Sequence, residues 1–398
     1  MTVPAHFDFS GIPVVDHHSH NWRRESEAYD AVGFRALFAE QVDPAVSARA
    51  GETIYYRWCL RELARALGSD PTEENVVARR AELGHDEVRR RLMAEANVAG
   101  AVIDHLFAGR GADILSTAEM GPALGGAMTT GALRLEVVLQ DLIVRHDTLS
   151  EVEDEFRLML DAAKLRAAGI VSLKSIAAYR TGLDIMPTPR VEARASFNHL
   201  RSEAKAQGSI RLADKHFLDY FLGVALEFAS REKFPFQFHT GFGDRDVDLR
   251  TGNPLALRQV LQNPAYQGAQ IVLLHAGWPF VRETSYLASV YPNVWADAGL
   301  AIPFAATSFA TIWRELLSLA PTTKVLWSSD AFTIPEHLWF AAVHGRRALA
   351  GVLGELVDLG ALAPADVWPI ARQILRDNAV GLYGLDNVRN VGDAAPDL

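Results

Sequence analysis

The sequence predicts an α/β protein, a (β/α)8 (TIM) barrel with a helical insertion after the first strand. Eight short apolar runs are separated, for the most part, by stretches with helical spacing, and this alternation is typical of a parallel barrel. The chain has 398 residues, 49% of them hydrophobic, which is enough to fill one large core. We therefore expect a single barrel domain over residues 1–385 and a polar C-terminal tail over 386–398.

The first predicted strand ends in a cluster of polar residues close to the N-terminus. The β-branched run from Ile12 to Val15 indicates a buried strand, and three histidines follow it. Because residues two apart on a strand share a face, His18 and His20 are expected to project side by side and to supply half of a zinc-type ligand shell. A histidine-rich turn is the ordinary alternative. A tag is disfavoured, because the histidines are interrupted and follow a strand.

A long segment after this strand has helical patterns throughout. It runs from about residue 21 to residue 97, much longer than an ordinary loop between a strand and a helix. We interpret it as a helical insertion and expect it to cover the carboxyl end of the first strand.

The other seven predicted strands are apolar runs that follow turns or helical stretches. A glycine-rich stretch over 121–131 lacks the spacing of a phosphate-binding loop, so we interpret it as a turn before the third strand. The strands are predicted at 98–106, 133–139, 170–175, 234–240, 270–275, 294–297 and 324–330.

Four of these strands carry a candidate ligand at or next to their carboxyl ends, namely Lys174, His239, His275 and Asp330. In a parallel barrel the carboxyl ends of the strands converge on one mouth, where catalytic groups lie. Each residue alone has an ordinary explanation, as a hydrogen-bonded core histidine, an aspartate in a turn or an exposed lysine. Together with His18 and His20 they predict a metal site, since imidazole and carboxylate groups are metal ligands.

Charge and composition argue against several classes of partner. The net charge is −10 and no long basic block occurs, so neither nucleic acid nor an anionic membrane is expected as a partner. No run of about 18 apolar residues occurs, and residues 1–10 lack the pattern of a signal peptide. The single cysteine, Cys59, excludes an intrachain disulfide and predicts a reducing, cytoplasmic location.

The polar strand ends form an ordered motif. In chain order it consists of Asp16-x-His18-x-His20, His239, His275 and Asp330. This motif resembles that of the metal-dependent amidohydrolase superfamily, in its amidohydrolase-2 branch. Residues 173–183, 275–280 and 297–303 are similar to the nodulin/FluG-type amidohydrolase domain, and residues 374–383 resemble the ending of the branch. Some members carry a fused glutamine-synthetase-like domain, and the resemblance leads us to expect a free-standing version without it.

The resemblance implies a divalent metal, with zinc expected first and manganese or iron as alternatives. His18, His20 and Asp330 would bind it with His239 as a further ligand, and Asp330 would act catalytically by accepting and returning a proton. His275 would be either a ligand of a second ion or a catalytic group facing the substrate. Lys174, when carboxylated, bridges two ions in some members, so one and two ions both stay open.

Candidate substrate-binding residues follow from their places near these strand ends. Arg180 and Tyr179 follow the fourth strand, and Arg180 could bind a carboxylate with two hydrogen bonds. Arg134 and Glu136 share a face of the third predicted strand, and Trp278 follows His275. Asp104, at the end of the second strand, could also reach the barrel lumen. A surface ion pair or a packing aromatic ring is an equally good explanation of each.

We therefore predict a hydrolase that uses metal-activated water to cleave an amide C–N bond in a small polar molecule bearing a carboxylate. Analogy with the glutamine-synthetase-like partners suggests a γ-glutamyl amide. One alternative is a non-hydrolytic, metal-dependent decarboxylase of the same branch, and another is a catalytically silent regulatory or scaffold protein. Members often assemble into homo-oligomers, although no interface pattern is evident here.

Overall fold

A computed structural model describes residues 7–24, 28–40, 43–104 and 113–388 of the chain. Eight strands form one sheet and follow one another in chain order. They are β1 (Val14–Ser19), β2 (Val98–Asp104), β3 (Met128–Arg134), β4 (Ile170–Ser175), β5 (Pro235–Phe238), β6 (Gln270–Leu273), β7 (Val294–Asp297) and β8 (Val325–Leu326). The pair β1–β2 and the neighbours from β3 to β7 are parallel. The predicted (β/α)8 barrel is confirmed.

Helices separate the strands along the chain, as a parallel barrel requires. They are α1 (Ala31–Ala36), α2 (Pro44–Ser47), α3 (Ile54–Leu67), α4 (Glu73–Ala96), α5 (Thr117–Ala123), α6 (Leu135–Arg145), α7 (Leu149–Met159), α8 (Ala162–Ala167), α9 (Arg190–Gln207), α10 (Lys215–Glu232), α11 (Leu249–Gly252), α12 (Arg258–Gln262), α13 (Val281–Val290), α14 (Ala301–Phe304), α15 (Phe309–Leu316), α16 (Pro335–Asp358), α17 (Pro364–Arg372) and α18 (Asn378–Tyr383). None of the helices in the described ranges combines the length and apolarity that membrane crossing needs.

The chain divides into two compact units. One comprises Met1–Thr129 and Ala298–Leu398, and the other comprises Thr130–Asp297. In the first unit the chain after β8 runs beside β1, where the Asp330 amide donates to the His18 carbonyl at 3.0 Å. The His20 amide donates to the Ala331 carbonyl at 2.8 Å. In the second unit β4 to β7 form a continuous parallel ladder.

The strands are short and nearly all of their residues are buried, as in a sheet that is covered on both faces. The six residues of β1 are all buried, and they change from Val14 and Val15 to polar residues toward the carboxyl end. Buried polar groups need hydrogen-bonding or charged partners. The polar strand ends therefore mark the places where side chains meet one another or a ligand.

The segment between β1 and β2 is a helical insertion, as the sequence predicts. Its helices α3 and α4 pack against α16, the long helix that follows β8. Arg80 Nε on α4 donates to Glu336 Oε1 at 2.7 Å, and Trp339 Nε1 on α16 donates to Glu95 Oε2 at 2.9 Å. These contacts join the insertion to the helix after β8.

The third strand lies earlier in the chain than the sequence predicts. Residues 133–139 are predicted as the strand, but β3 ends at Arg134 and α6 begins at Leu135. The predicted turn over 121–131 is likewise wrong, because α5 and the start of β3 occupy part of it. One apolar run contributes residues to both β3 and α6. Its later residues have the three-to-four spacing of a helix.

Three other predicted strands are longer than the observed ones. The fifth, predicted at 234–240, spans only Pro235–Phe238, so His239 lies just after it. The sixth ends at Leu273 and the eighth at Leu326, so His275 and Asp330 lie in the turns that follow. Both residues have a positive φ, 68° for His275 and 49° for Asp330. Residues 105–106 of the predicted second strand and 389–398 of the predicted tail lie outside the described ranges.

Candidate metal and substrate site

The first cluster of candidate ligands lies in the unit that contains β1 and β8. Asp330 Oδ1 is 3.1 Å from His18 Nε2 and also 3.1 Å from His20 Nε2. All three residues are buried. Two imidazole nitrogens and a carboxylate oxygen at this spacing are a donor set that suits zinc.

The alternation of β1 explains why the two histidines meet. His18 and His20 are two residues apart, and their rings lie 5.3 Å apart between centroids. His17 points the other way, where its Nδ1 is 3.1 Å from the hydroxyl of Tyr383 on α18. The side-by-side arrangement expected from the sequence is therefore present.

The carboxylate of Asp16 lies between β1 and the chain after β8. It accepts hydrogen bonds from the Ser329 amide at 3.0 Å and from the Ser329 hydroxyl. Burial raises the pKa of Asp16 to about 7, although the Ser329 hydrogen bonds oppose this shift. Asp16 therefore bonds to the backbone that carries Asp330.

Asp104 at the end of β2 offers a second carboxylate to the histidines. Ligand atoms of His18, His20 and Asp104 all lie within 4.8 Å of one another. His20 Nδ1 is also 3.3 Å from the Asp104 carbonyl oxygen. The sequence predicts that Asp104 lies at a strand end, but not that it lies close to His18 and His20. The pairing of β2 with β1 brings it to the histidines.

The second cluster lies in the unit that contains β4 to β7. His239 Nδ1 and His275 Nε2 are 3.0 Å apart, and His239 Nε2 is 3.1 Å from the Phe242 carbonyl oxygen. The His275 amide donates to Asp297 Oδ2 at 2.9 Å. That bond helps to hold the left-handed turn at His275, a backbone conformation that is costly without glycine. Asp297 is a functional candidate that sequence reasoning missed, although it does end the buried run of β7.

Lys174 lies on β4, where its register partners are Arg134 on β3 and Gln237 on β5. Its side chain is among the largest that are fully buried. Lysine is almost never fully buried unless it is paired, so the ordinary explanation of an exposed strand-end charge does not apply. A buried amine at a strand end can be converted to a carbamate ligand or can serve an ion pair.

Tyr179 and Arg180 follow β4 in a short helical turn. The Tyr179 ring lies 4.2 Å from the His239 ring between centroids. Arg180 is partly buried, and its Nε has no hydrogen-bond partner among the described residues. Burial is the main cause that lowers the pKa of Arg180, and the nearby Arg211 adds to it. An arginine in this state is suited to an anionic ligand.

Glu136 lies in a different element from the one predicted. It lies in the first turn of α6 rather than on a strand, and it is fully buried. Its Oε1 accepts from the Ser175 hydroxyl at 2.6 Å and from the Ile176 amide at 2.9 Å. Burial raises its pKa, mainly by desolvation. Glu136 thus supports the turn that carries Tyr179 and Arg180.

Trp278 is partly exposed and packs edge-on against Phe242, at 5.1 Å between ring centroids. The Phe242 amide donates to the Trp278 carbonyl at 2.8 Å. The turn after β6 is therefore joined to the segment whose Phe242 carbonyl contacts His239. Trp278 therefore lies near the second cluster, and its side chain is partly exposed.

Three comparisons with known proteins agree with this description. The family model described as amidohydrolase (Amidohydro_2) matches residues 192–385. Protein fluG of Emericella nidulans is 28% identical over 405 residues, which cover 94% of this chain. A solved structure from Lactobacillus casei, provisionally described as a metal-dependent hydrolase, is 27% identical with a TM-score of 0.85, and the match covers 96% of this chain and 97% of that one.

The family model over residues 192–385 and the two relatives over nearly the whole chain support an amidohydrolase-2 family protein. The resemblance that the sequence motif predicts is confirmed. This amidohydrolase spans about half the length of Protein fluG, since the match covers 46% of that relative. A uronate isomerase of Bacillus halodurans shares the fold at 14% identity, with a TM-score of 0.61 over 94% of each chain.

The donor set of this amidohydrolase suits a divalent metal. His18 and His20 provide two imidazoles and Asp330 provides a carboxylate. All three are buried, and Asp330 Oδ1 is 3.1 Å from the Nε2 of each histidine. Such neutral histidines and carboxylates match the ligand preferences of zinc, and also those of manganese and iron.

Proposed function

We propose that this amidohydrolase is a metal-dependent hydrolase that cleaves an amide C–N bond in a small polar substrate bearing a carboxylate. The observation that carries this proposal is the contact of the Asp330 carboxylate with both His18 and His20, at 3.1 Å each. A scaffold protein would have no need for a buried set of this kind, because its desolvation is costly.

The proposed metal ligands are His18, His20 and Asp330, with His239 as a further ligand. A bound divalent cation supplies Lewis acidity and makes a water molecule nucleophilic near neutral pH. The positions of His18, His20 and Asp330 support the assignment, because they stand at or just after the carboxyl ends of β1 and β8 in one unit. Zinc is the expected ion, and manganese and iron are the alternatives.

Asp330 is the proposed proton carrier. Its carboxylate accepts a proton from the attacking water and returns it to the leaving nitrogen, so the group is regenerated in each cycle. His275 polarises or positions the substrate carbonyl if one ion is bound, and it serves as a ligand if two are bound. The Asp297 carboxylate fixes the His275 backbone in either case, through the hydrogen bond of 2.9 Å.

Arg180 is the proposed partner of the substrate carboxylate. Its Nε is buried without a hydrogen-bond partner in the described part of the chain, and a carboxylate would satisfy it. Tyr179, Trp278 and Arg134 are proposed to line the substrate space, and Glu136 contributes through the turn that it supports. The fluG-type resemblance favours a γ-glutamyl amide as the first substrate to test.

The experiment is a product assay on γ-glutamyl amides and N-acyl amino acids with protein loaded with zinc, manganese or iron. We expect release of an amine or ammonia with zinc, and its loss in Asp330→Asn. Release of carbon dioxide without an amine would contradict hydrolysis and favour the decarboxylase. No turnover of any of these substrates by any loaded form would favour the scaffold protein.

The number of ions is tested by metal content with bicarbonate present, beside Lys174→Ala. A value near two that falls in the variant would support a carboxylated Lys174. A value near one in both proteins would make Lys174 a structural residue and His275 a group that faces the substrate.

A further inference from the structure

Asp16 is hydrogen-bonded to Ser329, which precedes Asp330 and also contacts the residue after it. Its carboxylate accepts from the Ser329 amide at 3.0 Å and from the Ser329 hydroxyl. The Ser329 oxygen in turn accepts from the Ala331 amide at 2.9 Å. The residues before and after Asp330 are therefore both connected to one buried carboxylate on β1.

Asp330 needs this support because of its backbone conformation. Its φ is 49°, in the left-handed region, which costs about 1–2 kcal/mol for a residue other than glycine. Such a conformation persists only where the surrounding structure fixes it. The Asp330 amide donates one hydrogen bond to the His18 carbonyl at 3.0 Å. Asp16 binds Ser329, and the Ser329 hydroxyl oxygen accepts from the Ala331 amide.

A similar arrangement, with the amide of the residue after the serine as donor, occurs at the end of β4. Glu136 accepts from the Ser175 hydroxyl at 2.6 Å and the Ile176 amide at 2.9 Å, and the Ser175 oxygen accepts from the Ala177 amide at 3.1 Å. In both places a buried carboxylate and a serine shape the chain just after a strand. The recurrence indicates a device for placing functional residues beyond strand ends.

We infer that Asp16 is a positioning residue that acts through Ser329 to hold the Asp330 carboxylate against His18 and His20. The inference rests on the proposed metal site. Both Asp16 oxygens take part in the Ser329 contacts, so the role of Asp16 is to fix the backbone that presents a ligand. Partners of this kind typically contribute 10- to 100-fold, in order of magnitude, to metal affinity.

The test compares Ser329→Ala and Asp16→Asn with a matched control, Ser172→Ala. Ser172 is also buried, but its hydroxyl donates to the backbone carbonyls of Leu173 at 2.9 Å and Pro235 at 3.2 Å. Zinc affinity is measured by competition with a chelator. Hydrogen exchange of the segment 328–333 is measured in the metal-free proteins. The exchange readout keeps the test informative if a variant binds no zinc.

We expect Ser329→Ala and Asp16→Asn to weaken zinc binding about 10- to 100-fold and to speed exchange in 328–333. Ser172→Ala should change neither quantity. Zinc affinity of Ser329→Ala within twofold of the wild type, or unchanged exchange in 328–333, would overturn the inference alone. Absence of zinc, manganese and iron binding in the wild type would overturn the proposed metal site, and with it the role of Asp16.

Discussion

Replacing Arg80 with methionine is expected to destabilise the protein strongly. Arg80 on α4 donates to Glu336 on α16 at 2.7 Å, and the two side chains are only 3% and 0% exposed. The guanidinium also lies 5.2 Å from the Tyr29 ring and 5.5 Å from the Phe34 ring. Methionine keeps much of the aliphatic volume, so the main change is a buried Glu336 carboxylate that loses its partner.

The expected loss in the free energy of unfolding is about 3–5 kcal/mol, the usual cost of leaving one partner of a buried ion pair unpaired. The two ring contacts add about 0.5–1 kcal/mol each at the lower end of their range. Glu336→Gln should cost less, because glutamine keeps a hydrogen-bond acceptor for Arg80. The double variant should recover at least about 2 kcal/mol relative to the sum of the single losses.

The assay is urea unfolding followed by tryptophan fluorescence and far-UV circular dichroism. The matched control is Arg90→Met on the same helix, where Arg90 pairs with Glu87 at 2.7 Å and is 68% exposed. This control should leave the unfolding midpoint nearly unchanged. A loss in Arg80→Met no larger than that of Arg90→Met, or a coupling energy near zero, would refute the reasoning.

Three further predictions concern pH dependence, substrate binding and a turn. Burial lowers the pKa of His344 to about 4. The native state should therefore lose up to about 3 kcal/mol of stability as pH falls from about 6.5 toward 4. Unfolding curves of His344→Gln should not show that loss. Arg180→Gln should raise KM for a carboxylate-bearing substrate about 10- to 100-fold while changing kcat less. Gly241→Ala should lower Tm sharply, because φ is 72° and the added carbon would lie 2.3 Å from the Trp278 carbonyl oxygen.

Each of these predictions has its own control and contradicting result. His216→Gln removes a histidine whose side chain is 61% exposed and should leave the pH profile unchanged. An equal loss at low pH in His344→Gln would contradict the first prediction. An unchanged KM in Arg180→Gln would contradict the second. Gly351→Ala, where the added carbon meets open space, is the control for the third, and an equal Tm in both variants would contradict it.

The sequence predicts best the elements whose boundaries are marked by local chemistry. Strands β4 and β7 have the predicted bounds, because each is a short buried run with a clear end. The third strand is predicted wrongly, because one apolar run continues from β3 into α6 and only its spacing changes. Periodicity separates the two elements poorly over so few residues.

The candidate site is predictable as a set of residue types but not as a geometry. His18 and His20 meet because side chains alternate between the two faces of a strand, and their spacing of two residues predicts this. The left-handed turns at His275 and Asp330 cannot be predicted from the spacing of residues, because hydrogen bonds to Asp297 and through Ser329 help to hold them. The Arg80–Glu336 pair joins residues that are 256 positions apart, and no local pattern points to it.

Metal content per folded chain tests the central claim most directly. It would be measured by elemental analysis on the wild type and on His20→Ala/Asp330→Asn, after loading with zinc and gel filtration, with circular dichroism to check the fold. We predict at least one zinc ion per wild-type chain and none held by the variant. An equal content in the two folded proteins, or no zinc, manganese or iron in the wild type after loading, would contradict the assignment of the metal site.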